Sequence, residues 1–426
     1  MKNFVTSSIL KSKGGSKMFD PKSVQKDFPM LRNNIQMQGK KLVWLDNAST
    51  TFKPDSVLDA VKEYYTSMTA NSHRGDYDLC YFVDKKIAEV RAKVASFLNA
   101  NENEIVFTSG TTMGLNLVAF GYGVKFLKEG DEILLTEAEH ASNVLPWFKV
   151  AEMTGAKIKY IPLDEKGRLT IDNLKKTISS KTKIVAAAMV TNVLGFVAPA
   201  KEIAKICHQY GALFVLDGAQ TVPHMPIDVK DLDCDFLAFS GHKLCGPTGI
   251  GCLYGKFDLL CKMDPFMTGG GMNAKFDMCG QVGFLEPPLK FEAGTQNIEG
   301  IFGLGAAIDY LNAIGMKNIE EYEHSLKKYA VEKLQKTDNA IIYNPDSESG
   351  IVTFNIKGVF AQDAATFLNS RGIACRSGQH CAKILTDFLD TVATVRASFY
   401  FYTTKEDVDK LVDAVIHGKE FLDAYF

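Results

Sequence analysis

The feature that most constrains the fold is a regular alternation of short apolar runs with amphipathic segments. The runs are rich in β-branched residues and nearly uninterrupted, as expected for parallel strands buried on both faces of a sheet. The segments between them place apolar residues at helical spacing. The alternation predicts an α/β unit with a mainly parallel sheet. The strand-like runs include 42–45, 104–108, 132–136, 157–161, 184–190, 213–216 and 236–239, and the helical segments include 56–70, 84–98, 113–126 and 201–210.

The pattern changes near residue 297, which predicts a separate α+β domain beyond that point. Helices are expected at 301–313, 319–336, 361–370 and 405–424, with a strand at 351–356. The stretch 268–294 is rich in glycine and proline and is predicted to be an ordered loop region between the two domains. The expected division is a tail (1–17), an N-terminal segment packed on the small domain (18–40), a large domain (41–296) and a small C-terminal domain (297–426).

Composition excludes several classes of protein. With 46% hydrophobic and 23% charged residues, the chain has material for a large core, so wholesale disorder is excluded. A formal net charge of −2 argues against a nucleic-acid binder, which needs a basic field. The sequence contains no run of eighteen apolar residues, so no membrane-spanning helix is predicted. Residues 1–17 resemble a short organellar targeting segment, but they contain no arginine, so a disordered tail on a cytoplasmic protein is favoured.

The nine cysteines are an odd number and include no CxxC pair. We therefore expect reduced thiols in a reducing compartment, with neither a disulfide framework nor a metal site. An arbitrary cysteine is usually a small buried hydrophobe. That interpretation is given to Cys80, Cys207, Cys234, Cys252, Cys261 and Cys375.

Three short motifs follow predicted strands, and each has a functional and a structural interpretation. Residues 108–112 open a helix, where backbone N–H groups bind anions, although serine and threonine are also common helix caps. Asp217 ends a buried strand, where it could hold a pyridinium nitrogen protonated or cap a helix. Lys243 follows another strand among small residues, where it could form a Schiff base or be a surface charge.

Further motifs at 139–143, 192–195, 291–295 and 376–382 complete a recognisable series. In this order the motifs resemble those of class V aminotransferase-fold enzymes that use pyridoxal 5′-phosphate (PLP). The last two make the chain similar to group II, SufS-type cysteine desulfurases and selenocysteine lyases. The resemblance extends from about Phe19 to the C-terminus. It implies fold type I of the PLP-dependent transferases, an α/β fold whose large domain has a mainly parallel seven-stranded sheet and whose smaller C-terminal domain is α+β.

The resemblance implies conversion of L-cysteine to L-alanine, with a persulfide left on Cys381 and its sulfur passed on for iron–sulfur cluster assembly. The alternative is a selenocysteine lyase acting on L-selenocysteine. A non-catalytic scaffold is a third interpretation, which the presence of Lys243, Asp217 and Cys381 disfavours. The sulfur acceptor implied is a SufE-like or scaffold-type protein.

The resemblance also implies the contacts of the cofactor. Lys243 carries PLP and later moves the α-proton of the substrate. Around the ring, Asp217 pairs with the pyridine nitrogen, Gln220 donates to the phenolic oxygen and His140 stacks on the face. The phosphate is held by Thr112, Ser240 and His242, with Thr111 nearby, and Thr295 reaches the phosphate of a neighbouring subunit. The last contact implies a homodimer with shared sites.

Substrate contacts follow from the same resemblance. Asn192 and Arg396 match ligands of the substrate carboxylate, and Arg376 is a further candidate, because a guanidinium binds a carboxylate through two parallel hydrogen bonds. A structural ion pair is the alternative for Arg396. Cys381 matches the thiolate that attacks the substrate sulfur, and Arg376 and His380 are expected to favour its charged form.

The chain departs from the family pattern at three positions, where Ala141, Cys245 and Gln379 replace residues that are usually histidine, tyrosine and histidine. These departures leave the central chemistry intact and affect the surroundings of the cofactor and the persulfide loop. The motif 73–75 (His-Arg-Gly) is retained and is expected near the cofactor.

Overall fold

The computed structural model of the protein describes residues 19–72 and 75–419. The tail 1–17 and the histidine and arginine of motif 73–75 lie outside the described residues. The strands are β1 (Gln36–Met37), β2 (Lys40–Lys41), β3 (Val43–Trp44), β4 (Ile105–Thr108), β5 (Glu132–Thr136), β6 (Lys157–Ile161), β7 (Thr182–Ala188), β8 (Leu213–Asp217), β9 (Phe236–Ser240), β10 (Gly251–Gly255), β11 (Asn273–Phe276), β12 (Val282–Phe284), β13 (Ala340–Ile342), β14 (Ile351–Ile356), β15 (Ile373–Ala374), β16 (Arg376–Gly378) and β17 (Thr394–Ser398).

The helices alternate with these strands over much of the chain. They are α1 (Pro21–Val24), α2 (Pro29–Arg32), α3 (Asp55–Ser67), α4 (Asp78–Leu98), α5 (Thr111–Val118), α6 (Val124–Phe126), α7 (Leu145–Thr154), α8 (Ile171–Thr177), α9 (Ala200–Gln209), α10 (Val229–Leu232), α11 (Phe257–Lys262), α12 (Ile298–Ile314), α13 (Met316–Gln335), α14 (Ala361–Ser370), α15 (Lys383–Phe388) and α16 (Lys405–Ile416). Among these, none combines the length and the apolar character needed to cross a membrane.

The chain divides into two units. The large unit comprises Ser56–Thr191 and Val197–Asp309, and it contains a seven-stranded sheet of order β4-β10-β9-β8-β7-β5-β6. Strands β5 to β9 pair in parallel, whereas β10 runs antiparallel to both of its neighbours. The predicted α/β class with a mainly parallel seven-stranded sheet is confirmed.

The prediction assigned one strand to this sheet that does not belong to it, and it missed one strand that does. The run 42–45 yields only β3, which pairs in parallel with β15 in the small unit and not with the large sheet. The seventh strand is β10, whose terminal glycines make it resemble a loop in sequence. Similarly, the loop predicted at 268–294 contains the hairpin of β11 and β12. The last helix ends at Ile416, and positions 420–424 of the helix predicted there lie outside the described residues.

The small unit comprises the described residues up to Asp55, Asn192–Phe196 and the chain from Tyr310 onward. Its four-stranded antiparallel sheet has the order β13-β14-β17-β16. Phe28 packs against Tyr402 with ring centroids 4.8 Å apart, so the N-terminal segment shares the core of this unit. A capping box at Thr404 and Asp407 satisfies the first turn of α16.

The observed units differ from the predicted domain boundaries at 41 and 297. Residues up to Asp55 belong to the small unit because β3 pairs with β15 and Asp46 bridges Ser398. Residues 297–309 belong to the large unit, where the Phe302 ring lies 5.7 Å from that of Tyr64. The division therefore falls inside α12.

Candidate active site

The candidate phosphate cradle is built where β4 and β9 end. The backbone N–H of Thr111, at the start of α5, donates to Oγ of Ser240 at 2.8 Å, and the two hydroxyl oxygens are also 2.8 Å apart. Gly110 adopts φ +145°, and a Cβ there would lie 2.9 Å from Ser240 Oγ. Only glycine fits this approach, so the helix N-terminus is left open toward an anion.

The imidazole of His140 lies next to this cradle in the hydrogen-bond network of the large unit. Its Nδ1 accepts from the backbone N–H of Ser142 at 3.1 Å, which leaves the ring proton for Nε2. The Ser142 hydroxyl is in turn 2.8 Å from that of Thr112. One turn, Ala141–Asn143, thus connects the predicted stacking residue with a predicted phosphate ligand.

Asp217 ends β8 and is 4% exposed. Burial raises the pKa of its carboxyl group, while the N–H of Ala219, which donates at 2.9 Å, and the charge of Lys243 lower it. A buried carboxylate of this kind is stabilised by a nearby cation, such as a protonated ring nitrogen. Gln220, three residues on, is also buried. The structure therefore brings together Asp217 and Lys243, as the sequence predicts.

Lys243 and His242 lie on a short 3₁₀ turn, Gly241–Lys243, directly after β9, and both are half-buried. Thr295 is different, because it lies at the surface of the large unit, where it accepts a hydrogen bond from Asn71 at 3.1 Å.

The cysteine predicted to be reactive lies in the small unit. Cys381 is exposed, and it and His380 both adopt left-handed backbone conformations, with φ of +57° and +51°. Such a conformation is uncommon for residues other than glycine and is enriched at functional sites. Nη2 of Arg376 lies 3.8 Å from Sγ of Cys381. The thiol is thus presented on a sharp turn beside a positive charge.

Arg396 is buried on β17 and already has several partners. Its Nη2 contacts Asp46 Oδ1 at 3.2 Å and Ser49 Oγ at 3.0 Å, and its Nη1 donates to the Asn192 carbonyl at 2.8 Å. The ion pair with Asp46 corresponds to the structural alternative that the sequence offered for Arg396. Nε of Arg396 is buried and has no hydrogen-bond partner within the described residues.

Asn192 joins the arginine to the cysteine loop. Its side-chain Nδ2 donates to the carbonyl of His380 at 2.8 Å, and its own carbonyl accepts from Arg396. Neighbouring carbonyls of the same segment, those of Val193 and Leu194, accept from Thr353 and Asn344. The three predicted substrate ligands, Asn192, Arg376 and Arg396, are therefore brought together in the small unit.

The predicted role of His380 as a cation requires correction. Burial, together with the positive charges of Arg396 and Arg376, lowers the pKa of His380 to about 3. Its Nε2 lies 2.9 Å from the Thr394 hydroxyl. Because the imidazole is neutral at pH 7, it brings no positive charge to Cys381, and of the two predicted residues only Arg376 places a cation beside the sulfur.

The burial of the remaining cysteines is mostly as predicted. Burial raises the pKa of Cys207 and Cys234 to about 12, as expected for inert thiols, and Cys80 and Cys252 are buried too. Cys261 is exposed, so its interpretation as a buried hydrophobe is wrong. In the described part of the chain, no group of three or more acidic, histidine or cysteine side chains could hold a metal ion.

The sequence did not point to two residues of these networks, Asp46 and Ser49, and it gave no role to Glu139 within the motif 139–143. Asp46 follows the predicted strand 42–45, which is where ligand-binding carboxylates commonly occur, so this signal was available. Ser49 has no comparable signal. Glu139 directly precedes the predicted stacking residue and is fully buried, which its charge alone does not predict.

Comparison with known proteins identifies the family. The model of the aminotransferase class-V family matches residues 43–411. The chain belongs to this family. It is 48% identical over 406 residues to a probable cysteine desulfurase of Halalkalibacterium halodurans, with 95% of this chain and 99% of the relative covered. The family predicted from the motifs is thereby confirmed.

Solved structures of family members have the same fold. The cysteine desulfurase CsdA of Escherichia coli matches with a TM-score of 0.87 and 38% identity, covering 94% of this chain and 99% of CsdA. The cysteine desulfurase of Thermococcus onnurineus NA1 matches with a TM-score of 0.88 and 39% identity, covering 93% and 97%. The predicted fold type is confirmed by these likenesses.

Proposed function

We propose that this protein is a PLP-dependent L-cysteine desulfurase that forms L-alanine and carries the released sulfur as a persulfide on Cys381. One observation carries the proposal, which is the exposed Cys381 thiol 3.8 Å from the Arg376 guanidinium. Thiolates rather than thiols are the nucleophiles, and an adjacent cation favours them. Full-length relatives named as cysteine desulfurases support the same conclusion.

The large unit has residues that fit PLP. The open start of α5 and the Ser240 hydroxyl suit a phosphate, with Thr111, Thr112 and His242 close in sequence. The buried Asp217 suits a protonated pyridine nitrogen, and Gln220 suits the phenolic oxygen. Bound PLP supplies an electron sink that stabilises negative charge on the substrate carbon.

Two side chains of the large unit are proposed to act beside the ring. The Nζ of Lys243 would hold the cofactor and would also move the α-proton of the substrate. His140 stacks on the ring and holds its proton at Nε2, because Nδ1 accepts from the Ser142 N–H. From this position Nε2 can donate a proton to the departing product.

The sulfur-transfer step belongs to Cys381. Its thiolate attacks the substrate sulfur, a sulfur–sulfur bond forms, and the carbon–sulfur bond of the substrate breaks. The electron pair of the broken bond goes to the β-carbon of the substrate, and protonation of that carbon together with return of the α-proton gives alanine. Oxygen nucleophiles do not support this exchange readily, which explains the need for cysteine at this position.

The substrate carboxylate is proposed to bind at Arg396 and Asn192, with Arg376 as a further candidate. Arg396 is paired with Asp46, so a bound carboxylate shares the guanidinium with that residue. Guanidinium groups accommodate such sharing because they have five donors.

The wider assembly is proposed to be a homodimer in the cytoplasm that passes sulfur to a SufE-like or scaffold-type acceptor for iron–sulfur cluster assembly. Exposed apolar side chains on α3, on α4 and at the residue just before α4 support a subunit interface, as does the surface position of Thr295. These apolar residues are Leu58, Tyr65, Tyr77, Leu79, Tyr81 and Phe82.

The test is the release of alanine from L-cysteine by PLP-loaded protein, with and without a reductant, for the wild type and for Cys381→Ser. We expect the wild type to release alanine, to be stimulated by the reductant that removes the persulfide, and to lose activity in Cys381→Ser. Normal alanine release by Cys381→Ser would overturn the mechanism. A much higher rate on L-selenocysteine that does not require Cys381 would identify a selenocysteine lyase instead.

A further inference from the structure

Glu139 is a buried carboxylate to which the proposed function gives no role. It lies in the turn after β5, directly before His140, and is 2% exposed. A buried carboxyl group is costly unless its oxygens accept hydrogen bonds. Its partners therefore indicate what it holds together.

Three donors from three different elements meet at this carboxyl group. Oε1 accepts from the Thr136 hydroxyl at the end of β5 at 2.5 Å. Oε2 accepts from the Asn143 side-chain Nδ2 at 2.8 Å and from the backbone N–H of Ala188 at 3.0 Å. Asn143 closes the turn Ala141–Asn143, and Ala188 ends β7.

Each of these contacts is one step from a cofactor residue. The turn that ends at Asn143 begins after His140, whose ring is oriented by the N–H of Ser142 within the same turn. Ala188 is the register partner of Asp217 on the neighbouring strand β8. The carboxyl group therefore connects the residue proposed to stack on the ring with the strand position of the residue proposed to hold its nitrogen.

The pKa of Glu139 is raised to about 7, chiefly by burial and also by the charge of Asp217, against the lowering effect of the Thr136, Asn143 and Ala188 donors. The group thus exists as both acid and carboxylate near neutral pH. A fixed charge is therefore not its main contribution, and its three hydrogen bonds remain available in either state, since the Thr136 hydroxyl can also accept.

We propose that Glu139 is a positioning residue for the cofactor site, which fixes the His140 turn against the strand end beside Asp217. This inference rests on the proposed function, because it takes His140 and Asp217 to contact PLP. The consequence is that removing the carboxyl group loosens His140, although the substitution replaces none of the side chains proposed to contact the cofactor.

The experiment compares Glu139→Ala and Glu139→Gln with the wild type, each prepared as apoprotein and reconstituted with PLP. The readouts are PLP affinity and the visible circular dichroism per bound PLP, which reports how rigidly the ring is held in its asymmetric surroundings. Glu137→Ala is the matched control, because this neighbouring carboxylate accepts instead from the Leu163 N–H.

We expect Glu139→Ala to weaken PLP binding about tenfold, as for one lost buried hydrogen-bond anchor, and to lose visible ellipticity. Glutamine can still accept from Asn143 and Ala188, so Glu139→Gln restores both readouts. If Glu139→Ala does not fold, Asn143→Ala, which removes the donor from the turn to Glu139 together with a longer contact at 3.4 Å from the Trp147 Nε1, is expected to lose ellipticity in the same way.

Wild-type readouts in both Glu139→Ala and Asn143→Ala would overturn the inference while leaving the proposed function intact. Equal losses in Glu139→Ala and Glu139→Gln would also overturn it, because the charge and not the position would then matter. A wild-type protein that binds no PLP would overturn the proposed function and this inference together.

Discussion

The guanidinium of Arg376 lies between a hydroxyl and a thiol: Nη1 donates to Ser49 Oγ at 3.1 Å, and Nη2 is 3.8 Å from Sγ of Cys381. The same Ser49 oxygen accepts from Arg396 and donates to Asp46 at 2.7 Å. The Ser49 hydroxyl thus lies between the guanidinium groups of Arg376 and Arg396, and the Asp46 carboxylate offsets part of their positive charge. The remaining positive charge faces the cysteine.

The first prediction concerns the reactivity of Cys381. Replacing Arg376 by glutamine removes the cation 3.8 Å from the sulfur, which attracts the negative charge on the reacting sulfur, so alkylation by iodoacetamide at pH 7 slows by roughly fivefold. The rate is measured by mass spectrometry on the Cys381 peptide. The exposed Cys279 provides the internal control and retains its rate. An unchanged Cys381 rate would show that Arg376 does not act on the thiol.

The second prediction concerns Asp217. Substitution by asparagine keeps the size and the hydrogen bond with the Ala219 N–H but removes the charge that stabilises a protonated ring nitrogen. Alanine release should therefore fall on the order of 100-fold, as for the loss of one preorganised electrostatic contact in a buried site. The visible absorption of bound PLP, recorded in parallel, separates loss of the cofactor from loss of turnover. Wild-type turnover in Asp217→Asn would remove this residue from the mechanism.

The third prediction is that the free energy of unfolding decreases as the pH falls, because of His380. Its folded pKa of about 3 lies below the unfolded value, so between pH 6.5 and 3 the unfolded state binds more protons and stability falls as the pH falls. The expected loss is about 2 kcal/mol between pH 6.5 and 4.5.

Glutamine at position 380 keeps a donor for the carbonyl of Thr394 and cannot titrate. Urea unfolding at the two pH values is therefore expected to show a smaller acid loss in His380→Gln than in the wild type. Parallel pH dependences of the two proteins would contradict the assignment.

The sequence identified strands best where apolar runs end sharply. The predicted bounds of 132–136 and 157–161 coincide with β5 and β6. It failed for β10, because glycines at both ends mimic a loop, and for 42–45, because periodicity does not tell which sheet a strand joins. Pairing of β3 with β15 joins residues about 330 positions apart, and no local pattern encodes such a choice.

The candidate site shows the same limit. Motifs supplied Lys243, Asp217 and Cys381 because each stands in a distinctive local sequence. The partners that orient such residues are distant, as with Ser49 and Arg376, which are 327 positions apart. The neutral state of His380 was also out of reach, since it depends on burial and on two arginines from neighbouring strands.

The last prediction concerns the motif 291–295, whose Glu292 forms a buried ion pair with Arg91. Both guanidinium nitrogens Nη1 and Nη2 contact the carboxylate oxygens at 2.8 Å, and Glu292 also accepts from the Phe107 N–H. Glu292→Gln leaves the buried arginine without its counter-charge, so we expect a loss of about 3–5 kcal/mol in the free energy of unfolding. Urea denaturation measures the loss.

A double variant separates the ion pair from simple packing. Glu292→Gln leaves the guanidinium charge of Arg91 buried without a partner, and Arg91→Met removes that charge. The double variant should therefore lose less stability than the sum of the single variants. The matched surface pair in the same unit is Lys93 and Asp309, whose side chains are 36% and 55% exposed. Asp309→Asn should cost less than about 1 kcal/mol. Additive losses at Arg91 and Glu292 would show that the two charges do not stabilise each other, and that the segment leading to Thr295 is held by packing alone.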